Sequence, residues 1–513
     1  MAEKERSSIP ESWAWKQLDE VAEINPTLDR DQIEEDISVS FVPMKRVEEL
    51  SGHIDLSETR PISEVASRYT YFAEGDVIFA KITPCMENGK TAIAEGLENG
   101  VGFGSTEFHV VRPSDDLLDS WAFYYLIQEG FRRDAKRRMT GSAGQKRVPT
   151  GYMEKIQLPV PPLSEQGRIV AKIEELFSEL EAGVADLKRA KKQLQRYRQS
   201  VLQAAVEGRL TKDWREERDT ESADKLLSRA DEAEETNKYK KRGKMTSLDD
   251  AYTYPLPQGW AWAQVGDVAK NIRYGTSEKA TKQDSGLPML RMGDISDGKL
   301  HFDDLKYLPA GAQLKDDLIL EDGDVLFNRT NSAELVGKTA VYKSSHQKAT
   351  YASYLVRAKL YTGVYNPDLL AYYINSAQGR QYIASVTSQQ VGQANVNATK
   401  MSSMPLPIPP YEEQREIVNE VERLLSVADE ATQTVEREIK RAERLRQSIL
   451  KRAFSGQLVE KEKRSGKVGE TLPLFDEEGT QQVQNKEANN ALKNLRGQWP
   501  GGESIDELLD ALD

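Results

Sequence analysis

Cysteine is almost absent from this chain: one residue, Cys85, in 513. That excludes an internal disulfide, and a lone thiol in "KITPCMENG" reads as structural rather than nucleophilic. Histidine is nearly as scarce, with four residues at 53, 109, 301 and 346. None stands at metal-ligand spacing to another His or to Cys, so no zinc site is expected. Long apolar runs are missing too. None approaches the roughly 20 residues that cross a bilayer, and the start "MAEKERSSIPESWAW" has no apolar signal-peptide stretch. The expected location is therefore cytoplasmic, with no membrane partner. Positive charge is in deficit, 70 Lys and Arg against 83 Asp and Glu, for a formal net charge of −13. This weighs against a protein that coats nucleic acid, because phosphate neutralisation takes Lys and Arg. Net charge alone does not choose the partner, since a docking surface can be basic while tails and helix backs are acidic.

What the chain does have is length and repetition. At 513 residues, 38% hydrophobic and 30% charged, it predicts a soluble protein of two or three domains with much exposed helix. "LPVPPLSEQ" at 158–166 returns as "LPIPPYEEQ" at 406–414, a shift of 248 residues. The same shift aligns "EGDVIF" ending at Phe79 with "DGDVLF" ending at Phe327, and Tyr124-Tyr125 with Tyr372-Tyr373. It also aligns Gln145 and Val148 with Gln393 and Val396, "QSVL" with "QSIL", and "EGRL" with "SGQL". At 247 residues, "WAW" at 13–15 meets "WAW" at 260–262. The chain reads as two copies of one unit, each a globular head followed by a long helix.

Within each head, stretches such as "EFHVVRP" (107–113) and "YLVRAKL" (354–360) predict strands between Gly and Pro punctuation. "LLDSWAFYYLIQEG" and its counterpart "DLLAYYINSAQG" predict helices, so the heads are α+β. After each Pro-Pro the period changes to a heptad. The first seam runs Ile169, Ile173, Leu176, Leu180, Gly183, Leu187, Ala190, Leu194, Tyr197, Val201 and Ala204. The second runs Ile417, Val421, Leu424, Ala428, Ala431, Val435, then polar Glu438, where Ile439 is expected to take over, then Ala442, Leu445 and Ile449. Two such helices in one chain most simply pack on each other, antiparallel, with the heads related by a pseudo-two-fold internal repeat. The expected division is 1–162 first head, 163–211 first long helix, 212–254 charged linker, 255–409 second head, 410–459 second long helix and 460–513 polar acidic tail. The tail ends in "GGESIDELLDALD", either a short docking helix or a solvated end.

The paired Pro-Pro-Glu-Gln helix entries, the helices ending "QSVLQAAVEGRL" and "QSILKRAFSGQL", and the doubled head starting at "WAW" resemble the DNA-specificity subunit of type I restriction-modification enzymes. The resemblance covers about positions 10 to 460; the linker and the tail match nothing in the family pattern. It implies that each head is a target recognition domain reading one half of a bipartite, asymmetric double-stranded DNA site. The helices would set the unread spacing and dock two modification subunits, which bind S-adenosylmethionine and methylate adenine. Restriction subunits using ATP and Mg would join for translocation and cleavage. The chain itself would be non-catalytic and bind no cofactor. "IPPY" at 408–411 resembles the box that holds the target amino group in amino-methyltransferases, but Ile408 cannot accept that hydrogen bond, and a strand stop followed by a helix start is the better reading. "GVGFG" at 100–104 leads into a strand, which makes it a turn rather than a cofactor loop.

DNA contacts are expected from basic and amide side chains on head loops, with Arg to guanine and Asn or Gln to adenine. The candidates are Lys81, Lys90, Gln145, Lys146 and Arg147 in the first head. In the second they are Arg291, Arg329, Asn331, Lys338, Gln393 and Asn395. For each, an ordinary solvated charge or amide is the competing reading. "FRRDAKRRM" at 131–139 is either a phosphate-binding cluster or the outer face of a helix. The alternative function is a non-nucleic-acid coiled-coil scaffold whose two heads bind protein partners, and steep salt dependence of DNA binding separates the two. A fused methyltransferase is disfavoured, because heads, helices, linker and tail leave no room for a cofactor domain.

Overall fold

The computed structural model describes residues 9–28, 37–142, 144–232, 253–282, 286–309, 311–312, 314–390 and 393–459. The tail from 460 to 513 and the stretch 233–252 of the expected linker lie outside the described residues. The described chain falls into two compact units. One is built from the residues up to Lys188 and from Glu436 onward, the other from Arg189–Val435.

Both units are built on the same antiparallel sheet, as the repeat requires. In the first unit the order is Ala22–Ile24, Phe108–Pro113, Val77–Ala80, Thr91–Ile93. In the second it is Ala269–Tyr274, Leu355–Leu360, Val325–Asn328, Thr339–Val341. The duplicated "GDV" stretches lead into interior strands of the two sheets, and Phe79 and Phe327 are fully buried in those strands. Each unit also pairs its WAW strand with the strand before its Pro-Pro: Ala14–Gln17 with Gln157–Val160, and Ala261–Gln264 with Pro405–Ile408. "GVGFG" departs from the turn expected of it: only Gly100 lies in one, and the rest forms the strand Val101–Gly104, where a Cβ on Gly102 would collide with the Phe72 ring. The close ring explains that glycine without any ligand.

The two long helices span Leu163–Val206 and Tyr411–Ala453, each about 65 Å at 1.5 Å per residue. Each two-stranded pairing admits isolated prolines such as Pro159 and Pro407, but two in succession offer no amide to a ladder and do not obstruct the first turn of a helix, so the chain turns helical directly after each Pro-Pro. The amides of Gln166 and Gln414 bond to the Pro162 and Pro410 carbonyls at 3.0 and 2.9 Å. Both helices end the same way. Gly208 and Gly456 adopt φ of +70°, and the next amides, Arg209 and Gln457, reach back five residues to Ala204 and Arg452 at 2.8 and 2.9 Å. Each of these glycines packs on a Pro-x-x-Trp turn, Gly208 on Pro257 and Trp260, Gly456 on Pro10 and Trp13.

Within the first unit, the start of the first helix lies along the end of the second. Ile169, Ile173 and Phe177 share a core with Ile449, Leu450 and Ala453, and Arg446 bridges to Glu181 at 3.0 Å. Within the second unit, the end of the first helix lies along the start of the second, and Arg198 bridges to Asp429 at 2.5 Å. The helices therefore run antiparallel, and the two ion pairs are repeat equivalents. The apolar seam residues are buried or half-buried. Glu438 departs from expectation: it keeps its seam place at 7% exposure while Ile439 stays half-exposed. The helix does not rotate to swap them, and Arg441, one turn on, approaches Glu438 at 3.6 Å.

The charged segment after Thr211, read from its composition as a linker with some helix, is helical over part of its described length. Helices form at Lys212–Glu216 and Ala223–Glu232. Ala223, Leu226 and Ala230 are buried, and the Ala223 amide bonds to the Gly259 carbonyl at 3.0 Å.

Candidate nucleic-acid interface

The central strand of each unit ends on a residue from the candidate set, Lys81 after Val77–Ala80 and Arg329 after Val325–Asn328. In both units a hairpin arm returns beside that residue. Val148 donates its amide to the Lys81 carbonyl at 2.9 Å, and Val396 donates to the Arg329 carbonyl at 2.9 Å. The arm is itself paired, Thr140 with Arg147 and Ser388 with Asn395. These are equivalent positions under the 248-residue shift. The backbone thus brings Lys81, Gln145, Lys146 and Arg147 together in one unit. In the other it gathers Arg329, Asn331, Gln393 and Asn395, with Asn331 paired to Ala394.

The side chains then divide. Gln145, Lys146 and Arg147 are exposed, as is Gln393. Arg147 holds Glu107 through Nε at 2.8 Å and Nη2 at 2.6 Å, and its Nη1 donates to the Gln145 carbonyl at 3.1 Å. This pairing keeps the Glu107 carboxyl below its usual range and raises the guanidinium further. Lys81 is half-buried, with Nζ 3.3 Å from the Phe108 carbonyl, and burial lowers its ammonium from the ordinary range. Asn395 donates from Nδ2 to the Thr330 hydroxyl at 2.9 Å. The Arg329 guanidinium lies 4.9 Å from the Tyr274 ring centroid and donates to the Ser353 carbonyl at 3.3 Å.

Three candidates lie apart from these clusters. Lys90 turns inward, donating to the Val47 and Met44 carbonyls at 2.8 and 3.3 Å. Arg291 clasps Asp294 at 3.0 Å and caps a short 3-10 turn. Lys338 sits on the neighbouring arm, its carbonyl accepting from the Asn328 amide at 2.9 Å. The 131–139 cluster is an amphipathic helix, Glu129–Arg138, that buries Phe131 and Ala135 and exposes Arg133, Lys136, Arg137 and Arg138. Arg132 is the exception, bonded to the Ile127 carbonyl at 3.2 Å and the Glu87 carbonyl at 2.5 Å.

Sequence reasoning missed the groups beneath the first arm. His109 is 1% exposed and sits 2.8 Å from the Val148 carbonyl through Nε2. A carbonyl only accepts, so Nε2 carries the proton and Nδ1 accepts from Asn25 Nδ2 at 3.3 Å. Burial lowers the imidazole pKa from 6.5 to about 4, leaving it neutral near pH 7. No sequence signal links Asn25, His109 and Val148. Glu107 and Thr330 were missed as well; each is far from its partner in the chain, and the two are not equivalent under the repeat, so no sequence signal points toward them.

The comparisons with known proteins follow the same division. The type I restriction modification DNA specificity domain matches residues 10–188 and again 257–441. The chain is 27% identical over 474 residues to the type I restriction enzyme EcoEI specificity subunit of Escherichia coli, covering 82% of this chain and 79% of that one. It is 28% identical over 480 residues to the EcoAI specificity subunit, also from Escherichia coli, covering 83% and 80%. A chain from a solved structure of a type I R-M system superposes with a TM-score of 0.63 at 21% identity, over 88% of this chain and 100% of that one, and so shares its fold. With both repeats matched over most of its length, the chain belongs to the type I restriction-modification DNA specificity family.

Proposed function

We propose that each repeat reads one half of a bipartite, asymmetric double-stranded DNA site and that the paired helices fix the unread spacing. The observation that carries this reading is the equivalent arm beside Lys81 and Arg329, which keeps one glutamine in common, Gln145 and Gln393, and then presents Lys146 and Arg147 in one unit against Ala394 and Asn395 in the other. A shared backbone with different side chains suits two half-sites of different sequence, because phosphate contacts position a protein while base-edge contacts specify. On this reading Gln145, Lys146 and Arg147 serve one half-site and Arg329, Asn331, Gln393 and Asn395 the other. Lys81, Lys90, Arg291 and Lys338 shape the loops around them.

The helices offer long charged backs to two modification subunits, with S-adenosylmethionine bound there. The restriction subunits carry ATP and Mg, and the whole complex works in the cytoplasm. No step of methyl transfer or cleavage falls to this chain. The test is selection from a random duplex library by the purified complex of this chain with its modification partner. The expected pool shows two short constrained blocks separated by a fixed run of unconstrained positions. An assembled complex that selects no sequence, and whose DNA binding does not weaken with salt, returns the protein-scaffold reading.

A further inference from the structure

The two arms differ in chemistry at one equivalent position. Val148 and Val396 are buried, while the residue before each faces away from the core, Arg147 exposed and Asn395 half-buried. Each is braced by its own unit. Glu107 takes the Nε and one Nη2 hydrogen of Arg147, and the Gln145 carbonyl takes one from Nη1. Of the five guanidinium hydrogens, one on each Nη is left, the pair that a guanine O6 and N7 accept. Thr330 takes one Nδ2 hydrogen of Asn395. The other, together with Oδ1, is the donor and acceptor pair that adenine N7 and N6 match. A paired β-arm is also an element that a B-DNA major groove admits.

Resting on the DNA-reading function above, we infer that Arg147 and Asn395 are homologous base-reading positions with different letters. Arg147 reads a guanine in one half-site, and Asn395 reads an adenine in the other. Glu107 and Thr330 are positioning residues that hold the two forks at a fixed angle.

The experiment uses the full chain in complex with its modification subunits and a duplex bearing the selected site. Each guanine is replaced in turn by 7-deazaguanine and each adenine by 7-deazaadenine, which removes only the N7 acceptor. Affinity is expected to fall about ten- to a hundred-fold at one guanine of one half-site and at one adenine of the other. Arg147→Lys should erase the guanine sensitivity alone, and Asn395→Arg should change the preferred base at the adenine position to guanine. If the wild-type complex shows no N7-sensitive guanine in one half-site, the Arg147 assignment is overturned, whether or not the variants fold. An unchanged adenine sensitivity in a DNA-binding Asn395→Arg complex overturns the other. A complex that selects no sequence at all fails the function on which both rest, a different result from a selected site without N7 dependence.

Discussion

Gln166 and Gln414 show why a repeated residue need not touch a ligand. Each is fully buried. Gln166 accepts from the Leu118 amide at 2.9 Å and donates to the Asp116 and Pro161 carbonyls, both at 2.9 Å. Gln414 repeats the pattern with the Asn366 amide and the Val364 and Pro409 carbonyls. One amide thus ties helix entry, head loop and Pro-Pro together. Gln166→Ala should lower the urea stability of the first unit by about 3 kcal/mol, since it strands three buried backbone groups. Gln166→Glu should do no better, because a carboxylate would face two carbonyls. His109 gives a second prediction at this scale. Its folded pKa of about 4 lies below the ordinary 6.5, so the unfolded chain takes up a proton in that window and the folded one does not. Stability should therefore fall as pH drops from 6.5 toward 4, by up to about 3 kcal/mol from this group. His109→Gln should remove that part of the decline in pH-dependent unfolding; an unchanged slope would contradict the buried neutral imidazole.

At the scale of elements, the long helices were legible because a heptad needs only spacing, and the seam residues are buried or half-buried as the pattern predicts. Glu438 was not legible: periodicity favours Ile439, but one polar seam residue costs less than rotating a helix packed over many turns. The helix Ala223–Glu232 was legible in principle, since Ala223, Leu226 and Ala230 follow helical spacing inside a charged segment. The arms beside Lys81 and Arg329 could be read only as loops with candidate side chains. What makes them a pair is one amide-to-carbonyl bond across 67 residues in each unit, which no local pattern encodes. The helix Glu129–Arg138 yields a prediction of its own. On the proposed function its exposed arginines meet phosphates rather than base edges, so Arg133→Gln, Arg137→Gln and Arg138→Gln together should weaken specific and random DNA alike. The slope of log affinity against log salt should flatten by about 0.9 for each phosphate that is no longer neutralised. Arg329→Ala should instead change the preference at particular bases, and equal loss on specific and random DNA would remove Arg329 from the reading set.

For the whole molecule, the doubled framework is the main fact. Matched sheets, matched helix ends and the equivalent ion pairs Arg446 with Glu181 and Arg198 with Asp429 make two units of one design. Sequence had already exposed that design through a shift of 248 residues, 247 at the WAW strands, because duplicated cores must keep their large residues in register. It could not expose how the candidate side chains are braced, since partners such as Glu107 for Arg147 and Thr330 for Asn395 are distant in the chain. Methylation mapping of DNA from cells expressing this chain with its modification partner, against cells expressing the partner alone, tests the central claim most directly. The account predicts a new adenine-methylation motif of two unlike half-sites at a fixed spacing. An assembled complex that adds no motif, or adds a single undivided or palindromic one, would contradict it.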